Sequence, residues 1–312
     1  MGFSNAGLKI LAASDNWEAA SVVYKKNFPN VNFLLEDARS LDLEALKKLN
    51  PDIVFGGPPC QDFSPAGKRN GDGTRADLTY VFATIVSGLS PRWFVMENVP
   101  QVEKTKVYEL SRSLFKKSGY GLSEAILDSS YHGVPQIRKR FFVVGKKKEI
   151  DGFMDGNLRN NQSSSRLTVR EYLGERIDTQ FYYRHPRTYG RRAVFSIDEP
   201  SPTIRGVNRP IPKNYRLHPG DACKDLSRVR PLTTKERALI QTFPEQFEFI
   251  GPKTDVEQMI GNAVPVKLAE FVASQIVRYE SGFDALANST SENKVLSGKR
   301  KTLEDWTYSQ SK

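Results

Sequence analysis

The stretch "GGPPCQDFS" at 56–64 places Cys60, one of only two cysteines in the chain, directly behind two prolines and two glycines. Proline fixes φ, and glycine lets backbone approach a neighbour closely, so the loop is built to hold its cysteine in one place. It follows the apolar run "DIVF", so the thiol stands at a strand-to-loop junction, a better place to present a side chain than to hide one. A nucleophilic cysteine fits that position, and the competing reading is a small buried hydrophobe. Arg138 and Arg140 in "QIRKR" at 136–140 alternate along a strand entry and therefore point to one side.

The elements that must carry these residues are legible in outline. Short apolar runs alternate with helical patterns through the first half, the pattern of an α/β protein with a parallel sheet. Strands are expected near "LKILAAS", "DIVFG", "RWFVMEN", "GLSEAILD" and "RFFVVG", with helices near 17–27, 77–89 and 106–118. From Asp151 to Val229 the texture changes to turn residues with 12 arginines and two lysines, favouring planar bidentate donors over diffuse charge. Thr233 and Glu236 are spaced as a capping box opening a helix, and another helix is expected over about 264–279. The tail from about Ser281, with "SGKRK", is polar and charged and is expected to be mobile.

The 312 residues carry a net charge of +10, a pI of about 9.4, 38% hydrophobic residues and a mean hydropathy of -0.50. These values describe a soluble basic protein and favour a polyanionic partner. No apolar run approaches the ~20 residues of a membrane span. The N-terminus has no basic region of a secretory signal, and two cysteines form neither a disulfide scaffold nor a zinc site, so a reducing cytoplasm is expected.

"GGPPCQDFS", "MENVP" at 96–100, "QIRKR", "RPLTTKERALIQTFP" at 230–244 and "IGNAVPV" at 260–266 stand in the order and spacing of the DNA (cytosine-5) methyltransferase family. The chain resembles that family, in its bacterial restriction-modification form, over residues 1 to about 280. The resemblance implies a Rossmann-like S-adenosylmethionine-dependent methyltransferase sheet and a smaller, irregular target-recognition domain. The expected division is a catalytic domain at 1–150, the recognition domain at 151–229, a return to the catalytic domain at 230–280 and the tail at 281–312. It implies methyl transfer to carbon 5 of a cytosine flipped out of duplex DNA, with Cys60 adding covalently to the ring. Glu97 would then donate to N3 as a partly protonated carboxyl, Arg140 would hold the O2 edge, and Arg138 would support the site and the nearby phosphate backbone.

Gln61 and Ser64 are expected to contact the DNA backbone or to close the loop over the flipped base, and the glycines and positive charge of "SPAGKRNGDGTRADL" suit either a mobile loop closing on phosphates or a flexible surface loop. By the same resemblance, Thr203 and Ile204 in "EPSPTIRGVNRP" order the reading loops. Arg205, Asn208 and Arg209 are candidates for base-edge or phosphate contacts, because arginine suits guanine and asparagine suits adenine. For S-adenosylmethionine the resemblance gives Asp15 to the ribose, Asn16 or Trp17 beside the adenine, Asp37 to its amino group, and Pro59, Leu78 and Asn262 to the pocket wall. No metal is expected.

The family opens with a strand and a Phe-x-Gly-x-Gly turn, whereas this sequence begins at "MGFSNAG", inside the helix that should follow. A longer functional protein is therefore expected, the alternatives being a separate polypeptide or a true loss. The chain as written is expected to bind the methyl donor poorly. The expected partners are double-stranded DNA and a restriction endonuclease that reads the same site without needing to bind, and the protein is expected to be a monomer. Two rival functions are an RNA cytosine-5 methyltransferase and a DNA-binding remnant without activity.

Overall fold

The structure, a computed structural model, describes residues 1–59, 78–188 and 190–282. Cys60, Gln61 and Ser64 therefore lie outside the described residues. The chain divides into two units, Met1–Gln275 and Ile276–Lys312.

In the first unit, α1 (Gly2–Asn5) precedes β1 (Ala12–Ser14), α2 (Glu18–Asn27), β2 (Asn32–Leu34), α3 (Leu43–Lys47) and β3 (Ile53–Gly56). Then follow α4 (Leu78–Leu89), β4 (Trp93–Asn98), α5 (Lys106–Lys117), β5 (Tyr120–Asp128), β6 (Gln136–Ile137) and β7 (Lys139–Lys147). The five strands and three helices expected in this half all form. β3, β4, β7 and β5 make one four-stranded sheet in that order, with β3 parallel to β4 and β7 antiparallel to both its neighbours. β1 and β2 form a separate parallel pair.

The run "WFVM" makes β4 the central core strand, since Trp93 to Met96 are all buried. Such a continuous apolar run suits a strand covered on both faces. Phe94 and Met96 pack with Phe82 and Val86 of α4, Tyr108 and Phe115 of α5, and Phe141 and Val143 of β7. The pairing register sets Gly145 opposite Phe94, where a Cβ would overlap the phenyl ring. Thr105 starts α5 by accepting a hydrogen bond from the backbone N–H of Tyr108.

The remaining elements are short until the C-terminal helices. They are α6 (Asp155–Asn160), α7 (Val169–Leu173), β8 (Phe181–Tyr183), β9 (Val194–Ser196), β10 (Ser201–Pro202), β11 (Val229–Pro231), α8 (Thr234–Ile240), α9 (Lys253–Asn262) and α10 (Val266–Glu280). The Thr233–Glu236 capping box forms as the spacing requires, and Thr168–Glu171 makes a second one. β11, β8 and β9 form a small sheet, while β10 pairs in parallel with β6 at the entrance to β7. A second core joins Leu173, Tyr182 and Ile204 to Leu232, Leu239 and Ile260, so packing is continuous across residues 229 and 230. Among the described residues no helix is long and apolar enough to cross a membrane.

Candidate active site

Parallel pairing of β3 with β4 sets Gly56 opposite Met96, so the two strands end side by side. Gly57, Pro58 and Pro59 thus leave the sheet beside Glu97 and Asn98. Asn98 is buried, and its side-chain amide donates to the Pro58 carbonyl at 3.0 Å while its Oδ1 accepts from Val99 N at 2.8 Å. One side chain thereby fastens the loop leading to Cys60 onto the end of β4. The approach is close: a Cβ on Gly57 would stand 2.9 Å from Glu97 Oε2, so the carboxyl would have to shift to admit one.

Glu97 meets Arg140 across the sheet, with Arg140 Nε 2.8 Å from Glu97 Oε1 and each side chain only 16% exposed. Burial pushes the Glu97 carboxyl above its ordinary range, and the positive charges of Arg140 and Arg138 oppose that rise only in part. Burial likewise lowers Arg140, with Glu97 acting against it. The result is a carboxyl poised to carry a proton beside a fixed donor fork.

Arg138 lies two residues before Arg140 and is fully enclosed. Its guanidinium donates to the carbonyls of Ile204 and Gly261, both at 3.0 Å, and to that of Asn262 at 3.4 Å. It therefore joins the start of β7 to the "PTIRG" segment and to the end of α9, and the expected contact with the phosphate backbone is corrected: an enclosed guanidinium spent on three internal carbonyls does not reach DNA. Burial and repulsion from Arg140 hold it at about 9.

The other expected residues sit as follows. Thr203 Oγ1 donates to the Ile137 carbonyl at 2.8 Å, its own carbonyl accepts from Arg184 at 2.8 Å, and Ile204 is buried in the second core. Arg205 turns back to donate to the His185 carbonyl. Asn208 points its amide inward to the Leu232 carbonyl at 2.9 Å and to Glu257 at 3.0 Å, so its donors hold the segment itself. Arg209 is exposed.

Asp15 and Asp37 follow the C-terminal ends of β1 and β2. Asp15 is exposed and accepts from Trp17 N at 2.8 Å; Asn16 is exposed as well. Asp37 accepts from Arg39 N at 2.9 Å and pairs with the Arg39 guanidinium at 3.0 Å. Pro59 and Asn262 are exposed, and Leu78, half-buried, begins α4. A cavity of about 420 Å³ opens beside the strand ends, walled by Phe3, Phe55, Gly57, Phe247 and Met259, with Glu97 on its rim. Its size and apolar lining are those of a small-molecule site. Asp15 and Asp37 do not line it. Among the described residues there is no cluster of metal-ligating side chains.

Sequence reasoning anticipated the close approach at Gly57 but not its partner, and missed Asn98, Gln136 and Gln241. Each lies inside a motif it did use, but its partner is set by tertiary contact.

The family model for C-5 cytosine-specific DNA methylase matches residues 1–278. The chain belongs to the C-5 cytosine-specific DNA methylase family. It is 54% identical over 283 residues to the type II methyltransferase M.HindV of Haemophilus influenzae, covering 90% of this chain and 93% of that protein. It is 50% identical to M.HgiDI of Herpetosiphon aurantiacus, covering 89% and 90%. Among solved structures, a DNMT2 mutant from Spodoptera frugiperda aligns with a TM-score of 0.66 at 21% identity, over 88% of this chain and 95% of that one. A prophage-encoded methyltransferase from Escherichia coli aligns at 0.63 and 23% identity, over 90% and 95%. These two show the fold, a mixed α/β methyltransferase. The C-5 methylase is thus of the type II restriction-modification kind, and its family's methyl donor is S-adenosylmethionine.

Proposed function

We propose that the protein methylates carbon 5 of a cytosine flipped from a specific duplex site, through a covalent adduct at Cys60, and so protects host DNA from a restriction endonuclease reading the same site. The observation that carries this reading is the buried Glu97–Arg140 pair set against Gly57, three residues before Cys60.

Carbon 5 of cytosine is too electron-poor to accept a methyl group unaided. Addition of the Cys60 thiolate to carbon 6 moves an electron pair toward carbon 5 and N3. The Glu97 carboxyl, raised by burial, meets that charge with a proton at N3. Arg140 holds Glu97 through Nε, gives Nη1 to the Lys139 carbonyl at 2.8 Å, and offers its remaining N–H groups to O2. S-adenosylmethionine supplies an electrophilic methyl group. Loss of the carbon 5 proton to water then expels the thiolate from carbon 6, and return of the N3 proton to Glu97 restores the aromatic ring.

Asp15, exposed, and Asp37, half-buried and paired with Arg39, suit the donor's ribose and adenine, because carboxylates past the ends of parallel strands are where such folds bind nucleotides. Asn16, Trp17, Pro59, Leu78 and Asn262 complete that set. Arg187, Arg191 and Arg209, all exposed, form the basic surface that meets DNA, with Gln61 and Ser64 closing over the opened helix, while Arg184, Arg192 and Arg205 hold the segment through Thr203, Glu199 and His185. Duplex DNA is the substrate, and the protein acts in the cytoplasm as a monomer.

The test is methyl transfer to duplex DNA and to transfer RNA by the wild-type protein and by Cys60→Ser. Transfer to duplex DNA alone, abolished by Cys60→Ser with DNA binding retained, is expected. Turnover in the variant refutes the nucleophile.

A further inference from the structure

Gln136 and Gln241 lie 105 positions apart, are both fully buried, and join through their side-chain amides, Gln136 Nε2 donating to Gln241 Oε1 at 2.8 Å. Their remaining bonds reach Ile204 and the 260–266 turn. Gln136 Oε1 accepts from Ile204 N at 2.8 Å. Gln241 Nε2 donates to the Ile260 carbonyl and, at 3.1 Å, to the Ala263 carbonyl, while Val266 N donates to the Gln241 carbonyl at 3.1 Å.

Ile204 is held at both of its peptide groups. Its N–H goes to Gln136 and its carbonyl to Arg138, side chains two residues apart on the approach to β7. The parallel pairing of β10 with β6, at Ser201–Gln136 and Pro202–Ile137, fixes the same register. Gly261 admits the backbone of Arg205 and Gly206 so closely that a Cβ there would overlap it. The next alternate residue, Arg140, grips Glu97.

A surface hydrogen bond would tolerate a shift at any of these joints. A fully enclosed amide pair does not, because an N–H or carbonyl left unmet here has no water to turn to. Any displacement of the 201–206 segment therefore displaces Gln136, and with it the strand carrying Arg140.

We propose that Gln136 and Gln241 are positioning residues that lock the recognition segment at Ile204, and the 260–266 turn, to the strand bearing Arg140, so that DNA is methylated fast only when that segment is seated. The inference rests on the roles assigned above to Glu97 and Arg140.

The test compares the full chain with Gln136→Leu, Gln241→Leu, Gln241→Glu and the double Gln136→Leu/Gln241→Leu. The probe is a duplex whose methylated site has been mapped by bisulfite sequencing, and the same duplex with one neighbouring base pair changed. Active sites are counted by trapping on 5-fluorocytosine DNA, so that kcat is read per competent site. Each single variant is expected to lose about 10–100-fold in kcat per site, the effect of a roughly 1 Å misplacement, with KM for DNA changed less than about threefold. Preference for the mapped site is expected to fall, and the double variant to lose no more than the worse single, as members of one unit do.

A purely structural pair would lower the number of competent sites and the melting temperature while leaving kcat per site and site preference intact. That outcome, additive losses in the double variant, or failure of all the variants to fold would overturn the proposal. Glu97→Gln, run in parallel, separates the two levels. If it turns over like wild type, the assigned chemistry fails; if it is inactive while the glutamine variants are normal, only the positioning role fails.

Discussion

Glu97 and Arg140 form a hydrogen-bonded ion pair of 2.8 Å in which burial, not the arginine, decides the direction of the carboxyl's pKa. A salt bridge normally depresses a carboxylate, so a raised one beside a guanidinium marks a group meant to hold a proton. Such perturbed pairs in a cleft are characteristic of catalytic sites.

Replacing Glu97 by glutamine keeps the shape of the side chain and removes the transferable proton. kcat is expected to fall by about 10²–10⁴-fold, the usual worth of a positioned acid, with DNA affinity little changed. Single-turnover methylation and a binding titration measure the two separately. In the wild type the rate is expected to fall as pH rises through the elevated Glu97 pKa, because the protonated form is the active one.

Gly57→Ala places a methyl group against Glu97 Oε2, at 2.9 Å in the present geometry. Gly57 itself is exposed, so stability is expected to change by less than about 1 kcal/mol. The carboxyl must move, however, and a loss of about tenfold or more in kcat is expected. Thermal melting and steady-state kinetics on the same preparation check both halves.

Arg209 is exposed on the recognition segment. If it meets a phosphate, Arg209→Ala weakens binding about equally on all duplexes and reduces the slope of log K against log salt by about 1. If it reads a base, the loss is confined to the methylated site. Titrations at several salt concentrations distinguish the two.

His132 is buried with both ring nitrogens lacking a hydrogen-bond partner, and it stacks on Phe271 at 4.2 Å. Burial lowers its pKa from 6.5 to about 4, the Asp128 charge opposing weakly. A depressed histidine contributes stability above its unfolded pKa that is lost as pH falls toward the folded value. Between pH 7.5 and 5 this costs about 2 kcal/mol, and His132→Phe is expected to remove that part of the acid sensitivity. Urea unfolding at the two pH values measures it.

Much of this architecture was legible because the core strands are written as unbroken apolar runs. "WFVM" and "FFVV" have few alternatives to burial in a sheet, and the Thr233–Glu236 box forms from local bonds alone. The three-residue strands β2, β8, β9 and β11 carry too little pattern to stand out, and α9 starts after Pro252 without a side-chain cap. At the site, Glu97 and Arg140 were found through their motifs and do meet. Asn208 fits adenine by its chemistry, but its amide is engaged with Leu232 and Glu257, contacts that depend on how α8 and α9 fold back. The Gln136–Gln241 pair was hidden for the same reason: nothing local links residues 105 positions apart.

The central claim is that the thiol of Cys60 bonds to a flipped cytosine. The direct measurement is mass spectrometry of the protein after incubation with S-adenosylmethionine and duplex DNA carrying 5-fluorocytosine at the methylated position, where fluorine prevents release. A stable protein–DNA adduct mapped to Cys60, and absent from Cys60→Ser, is the predicted result. An adduct at another residue, or methylation of ordinary DNA with no adduct on the fluorinated duplex, would contradict it.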